Sequence, residues 1–100
     1  MVQATTPTFV LTLPNTIDLS QAANVYFTLK QGAVEIKKTG DELTVSTNTV
    51  SVSLSQAETL GLTPGQARIQ LNWTYADGKR ACSNIAHVAV NENLLKEVVE

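Results

Sequence analysis

Apolar and polar residues alternate with a period of two along most of this chain. Phe9, Leu11 and Leu13 alternate with Val10 and Thr12, and Val25, Phe27 and Leu29 alternate with Tyr26, Thr28 and Lys30. The pattern continues through Val34 and Ile36, Leu43 and Val45, and Val50, Val52 and Leu54. It is longest where Ala67, Ile69, Leu71, Trp73 and Tyr75 alternate with Arg68, Gln70, Asn72 and Thr74, and it closes with Cys82, Ala86, Val88 and Val90. Successive side chains of a strand point to opposite faces, so each segment has one apolar face to bury. One buried face per strand specifies antiparallel sheets packed face to face.

Turn residues separate these segments. Pro7 and Pro14 bracket the first, Gln31-Gly32 turns the second into the third, and Thr39-Gly40-Asp41 precedes the fourth. Thr47-Asn48-Thr49 joins the fourth and fifth, where an Asn tolerates a left-handed conformation. Asp77-Gly78 between two β-rich runs is a strong hairpin signal. Ser55-Gln56-Ala57-Glu58 reads as a capping box, with Gly61 placed to end a short helix and Leu62 to make the apolar contact after it. In the final segment, Leu94, Leu95, Val98 and Val99 fall on one stripe of a helix with Lys96, Glu97 and Glu100 opposite.

These spacings predict an all-β fold, an immunoglobulin-like antiparallel sandwich of about seven strands. The sandwich should occupy residues 1–90, with one short helical crossover over 55–61 and a short amphipathic tail helix over 91–100. The strand order does not follow from the sequence. The length of 100 residues suits one domain.

Composition narrows the function. Charged residues make up 16% of the chain, so the surface must lean on Thr, Ser, Asn and Gln. The net charge of −2 gives no electrostatic footprint for nucleic acid. No apolar run approaches the length that spans a membrane. Met1 to Thr6 lacks the positive region of a secretory signal, so the expectation is a protein that stays inside the cell or one whose signal was removed. The single cysteine, Cys82, has no intrachain disulfide partner and fits the intracellular case better.

Candidate chemistry is sparse. Cys82 and His87, five residues apart on one strand, should point to opposite faces and so form neither a metal site nor a thiol–imidazole pair. Cys82 is expected to be a small buried apolar residue and His87 to face solvent. Asp41-Glu42 reads as a solvated turn, and the glycines sit at turns rather than in a phosphate-binding loop. No cofactor or metal is expected. Trp73 and Tyr75 could stack on carbohydrate, but they are in phase with Ile69 and Leu71, which places them in the core. Tyr26, on the polar side of its strand, is the candidate exposed aromatic. Residues 1–29 carry one charge, Asp18, so the first strand lacks a charged gatekeeper and Phe9, Val10 and Leu11 are candidate interface residues. The tail residues Leu94, Leu95, Val98 and Val99 join them, because an isolated helix this short needs a surface, on its own domain or on another subunit, without which it is a frayed end.

Thr5-Thr6-Pro7-Thr8-Phe9, continuing to Leu11-Thr12-Leu13-Pro14, resembles the start of a family of small proteins encoded in prophages of Gram-positive gut bacteria. The resemblance continues through Asn48-Thr49-Val50-Ser51-Val52-Ser53-Leu54-Ser55-Gln56-Ala57-Glu58-Thr59 and the strand from Ala67 to Tyr75. It covers nearly the whole chain, and its motifs are structural rather than catalytic. The layout is also similar, more loosely, to the immunoglobulin-like N-terminal domain of upper baseplate proteins. Where members of the family carry a cysteine-containing segment before the sixth strand, this chain has Gly61-Leu62-Thr63-Pro64-Gly65. Genes of this kind tend to lie in tail and baseplate modules. The resemblance therefore implies a non-enzymatic structural protein of a phage or prophage, located in the virion and in the host cytoplasm during assembly. Its partners would be protein subunits of the tail or baseplate, including copies of itself in a homo-oligomer, with no nucleic acid and no membrane insertion. The alternative reading is a β-sandwich module that binds carbohydrate or a cell-surface ligand.

Overall fold

The alternating segments form eight strands in the computed structural model, which describes residues 1–99. In chain order they are β1 (Thr8–Thr12), β2 (Ala22–Gln31), β3 (Val34–Thr39), β4 (Leu43–Val45) and β5 (Thr49–Ser53), then helix α1 (Gln56–Leu60), β6 (Gly65–Tyr75), β7 (Arg80–Cys82) and β8 (Ala86–Val90). One sheet has the order β1-β5-β4 and the other the order β3-β2-β6-β7, with β8 also pairing to β6. All these strand pairs are antiparallel. The fold is an all-β structure of two sheets.

The eighth strand arises because the expected last strand is broken. β6 pairs with β8 from Gly65 to Ile69 and with β7 from Asn72 to Thr74, so β7 and β8 lie end to end along it. Ser83 makes the break. Its N–H donates to the Leu71 carbonyl at 2.9 Å, and its hydroxyl accepts from the Leu71 N–H at 3.0 Å. A side chain thus stands in for one ladder partner, and the Gln70 amide donates to the Ser83 carbonyl at 2.9 Å.

The inward face of each strand supplies the core. Phe27, Leu29, Leu71 and Trp73 of one sheet meet Val50 and Val52 of the other, all nearly inaccessible to solvent. The Phe9 and Phe27 rings stack across the gap with centroids 6.3 Å apart. Trp73 is in the core as its phase requires, and its indole N–H donates to the Tyr75 hydroxyl at 2.9 Å.

Most turns match their sequence signals. Gln31 pairs with Val34, leaving a two-residue loop in which Gly32 has φ +57°. A positive φ at that first loop position suits Gly. Gly78, with φ +86°, turns β6 into β7, and the Asp77 carboxylate accepts from the Lys79 N–H at 3.0 Å. Asn48 differs from expectation. Among the described residues Ala4 is the one non-glycine with positive φ, so Asn48 is not left-handed. Its side-chain amide donates to the Leu13 carbonyl at 2.9 Å, which fixes the end of the first sheet.

The chain crosses between the sheets at α1. The Ser55 hydroxyl accepts from the Glu58 N–H at 3.1 Å, and the Glu58 carboxylate accepts from the Ser55 N–H at 2.8 Å, a reciprocal cap. Gly61 ends the helix in a right-handed conformation, φ −71°, and Leu62 is buried beneath it. Lys38 reaches from β3 to Glu58 at 2.8 Å, tying the crossover to the edge of the second sheet.

Residues 91–99 contain no helix, which corrects the expected tail helix. The Asn93 carboxamide oxygen accepts from the Leu95 N–H at 3.1 Å, and its amide donates to the Gln3 carbonyl at 3.0 Å. The Val99 N–H, which a helix would give to the Leu95 carbonyl, goes instead to the Gln56 side-chain oxygen at 2.9 Å. Glu100, assigned to the polar side of that helix, lies outside the described residues.

Replacing Trp73 with Ala should cost about 3–5 kcal/mol through lost burial and the cavity left behind. Urea unfolding followed by circular dichroism measures this, and a change under about 1 kcal/mol would place the indole outside the core. Glu58 gives a pH dependence. Partial burial pushes its carboxyl up, but the Lys38 ammonium and the Ser55 N–H and hydroxyl outweigh this and hold it below its ordinary 4.5. A carboxyl lowered in the folded state stabilises the fold above its unfolded value and loses that contribution as pH falls through the folded one. The stability gap between wild type and Glu58→Gln should therefore be constant above about pH 5.5 and shrink below about pH 4.5. Denaturant titrations across that range measure it.

Candidate interaction surfaces

Three surfaces remain after the core is assigned: the open edge of β1, the tail, and the outer face of the larger sheet. β1 pairs with β5 alone, so its other edge has no strand beside it. Its residues alternate, and the expected patch divides accordingly. Of the candidate interface residues, Phe9 and Leu11 turn inward and pack, partly buried, against the core. Val10 points outward and is 67% exposed. Beside this edge the two sheets part. A groove of about 580 Å³ opens there, lined by Leu11, Leu13 and Ile17 on one side and Ile69, Leu71 and Ala86 on the other.

The tail lies across the pole of the sandwich near α1. Its backbone is held and its side chains are not. The Gln56 side-chain amide donates to the Val99 carbonyl at 2.8 Å and accepts from the Val99 N–H at 2.9 Å. Leu94 is 92% exposed, and Leu95, Val98 and Val99 are also exposed. The four residues thus form no helical stripe, and neither do they pack into the domain.

A residue with no sequence signal organises this pole. Gln3 is 5% exposed, and its amide donates to the Leu62 carbonyl. Its backbone N–H donates to the Asn91 carbonyl at 3.0 Å, and its side-chain oxygen accepts from the Asn93 N–H. Val2 makes a parallel bridge with Asn91. One polar side chain therefore joins the first segment, the end of the α1 crossover and the start of the tail. Gln is common on surfaces, so only the tertiary contacts mark it as buried.

The outer face of the larger sheet is a regular lattice set by register. Glu35, Lys30, Arg68 and His87 lie side by side in one row across β3, β2, β6 and β8. Lys37, Thr28 and Gln70 form the next row, and Thr39, Tyr26, Asn72 and Cys82 the third. Asn24, Thr74 and Arg80 complete the face. Tyr26 is half-buried between its neighbours, a correction to its assignment as an exposed aromatic. Its ring lines a shallow cleft with Thr28, Lys37, Asn72, Thr74 and Arg80. The Arg80 guanidinium donates to the Asn72 side-chain oxygen from Nη2 at 3.0 Å, which fixes the charge over the cleft.

Two further expectations change here. Cys82 is exposed rather than buried, because it pairs with Asn72 on the outer face. His87 pairs with Arg68 and so shares that face. The break at Ser83 shifts the alternation between β7 and β8, so the two residues do not point to opposite faces. Their partners on β6 are four residues apart, roughly 13 Å, which keeps thiol and imidazole separate. Among the described residues, no three His, Cys, Asp or Glu side chains group as metal ligands would. No described helix is long and apolar enough to cross a membrane.

No protein-family model matches this chain, and no curated protein matches it either.

The position of Cys82 is directly testable. An aromatic disulfide reagent should titrate one thiol in the native protein at a rate close to that in denaturant. Protection of roughly a hundredfold or more, the range expected if exchange required an opening step of about 3 kcal/mol, would return Cys82 to the interior.

Proposed function

We propose that this chain is a non-enzymatic structural domain that acts by protein–protein contact, joining subunits of a phage tail or baseplate. The phage setting rests on the resemblance of its opening and middle segments to the prophage-encoded family. On that reading the protein resides in the virion, and in the host cytoplasm during assembly. The two sheets, β1-β5-β4 against β3-β2-β6 with β7 and β8, are read as an immunoglobulin-like sandwich without a strand on the outer side of β1.

The observation that carries the contact reading is the tail. Its backbone is fixed by Gln3 and Gln56 while Leu94, Leu95, Val98 and Val99 remain exposed. A fully buried side chain of this size gains roughly 1.5–3 kcal/mol, so a neighbouring subunit that covers the tail has a substantial driving force available. The open β1 edge, uncharged and bearing Val10, offers a second contact on the other sheet.

Light scattering coupled to gel filtration tests this. Full-length protein at about 100 μM, a concentration that populates contacts of roughly −5.5 kcal/mol, should run as a homo-oligomer. Removal of residues 94–100, which leaves Asn91 and Asn93 on Gln3, should give a folded monomer. Val10→Lys should weaken association at the β1 edge without altering the melting temperature by more than a few degrees. A full-length monomer would overturn self-association through the tail.

A further inference from the structure

The outer face of the larger sheet concentrates positive charge on a protein that is acidic overall. Lys30, Lys37, Arg68 and Arg80 all point outward from it, and Glu35 is its one carboxylate. The net charge of −2 therefore divides into +3 on this face and −5 over the rest of the chain. The ion pairs among the described residues involve Lys38, Lys79 and Lys96, not these four cations. Like charges gathered on one surface raise each other's energy, and a bound anion relieves that cost.

We infer that this face binds an acidic polysaccharide, a chain of sugars bearing carboxylate, sulfate or phosphate groups. The site stands apart from β1 and the tail and does not depend on the assembly reading. Three features select this ligand. Arg68 and Arg80 mark the two ends of the strip, six residues apart in β6 by their rows, which is roughly 20 Å and suits an extended polymer rather than one small anion. Between the cations lie short amide and hydroxyl groups, Thr28, Gln70, Asn72 and Thr74, which match sugar hydroxyls, and the Tyr26 ring offers an apolar surface to a sugar. A protein partner would need a contiguous apolar anchor, and on this face Ile85 and the Tyr26 ring stand singly in separate clefts among polar and charged side chains. Binding of a single-stranded nucleic acid draws on several aromatic platforms for successive bases, and the clefts of this face have the Tyr26 ring alone.

The test uses full-length protein and two polymers of one backbone, dextran sulfate and neutral dextran, with polygalacturonate as the carboxylated probe. Calorimetry at low salt should detect binding of dextran sulfate or polygalacturonate but not dextran, and added salt should weaken it. The R68Q/R80Q and K30Q/K37Q variants should each lose roughly tenfold or more in affinity while melting near the wild-type temperature. K79Q/K96Q, which removes the same charge from other surfaces, should bind as wild type. Failure to bind either anionic polymer overturns the inference, as does an equal loss in K79Q/K96Q. Binding of a single-stranded thymidine oligomer as tightly as the anionic sugars overturns the choice of polysaccharide.

Discussion

The ladder between β2 and β6 is the constraint on which the rest of this structure depends. It aligns Phe27 with Leu71 and Leu29 with Ile69 on the inner face, and Tyr26 with Asn72 and Lys30 with Arg68 on the outer one. A slip of one residue would exchange the two faces, exposing the core and burying four polar or charged side chains. The apolar side chains therefore enforce the register, and the register in turn places the cations. The basic face is a consequence of packing the hydrophobic core, since no contact among the cations themselves holds them together.

Period two was legible because it is local. Each strand from β1 to β6 could be located from its own residues, as could the loop at Gly32, the hairpin at Gly78 and the reciprocal cap of Ser55 and Glu58. Parity across a break was not legible. Cys82 and His87 share a face because Ser83 replaces a backbone partner with its hydroxyl, and a serine in that stretch carries no sign of doing so. The tail failed for a related reason. Leu94, Leu95, Val98 and Val99 have helical spacing, but Gln56 takes the Val99 N–H and carbonyl, bonds that a short helix could not outcompete. Gln3 was invisible because its importance lies wholly in residues 59 and 90 positions away.

The charge pattern shows the same limit from another side. Net charge and composition describe the chain as weakly acidic, which is true of the sum and false of the larger sheet's outer face. Lys30, Lys37, Arg68 and Arg80 are spread over fifty residues of sequence. They become neighbours through three strand pairings at once, so their grouping is a property of strand order, which the residues did not specify. By contrast the inward turn of Phe9 and Leu11 follows from alternation within their own strand, and of the three candidates Val10 is the one that points outward.

The two proposed surfaces are compatible in one molecule because they belong to different parts of the sandwich. The open edge of β1 lies in the smaller sheet, and the tail crosses the pole near α1 under the hold of Gln3 and Gln56. The basic lattice covers the far side of the larger sheet, behind Phe27, Leu71 and Trp73. Subunits joined through the tail and β1 would leave that lattice facing outward. Repetition would then matter more than affinity at any one site. Several weak anion-binding faces on one assembly hold a single polymer far more firmly than one face does, because each later contact is made at high effective concentration. A shallow face with no deep pocket, poorly suited to a tight monovalent site, suits an array of this kind.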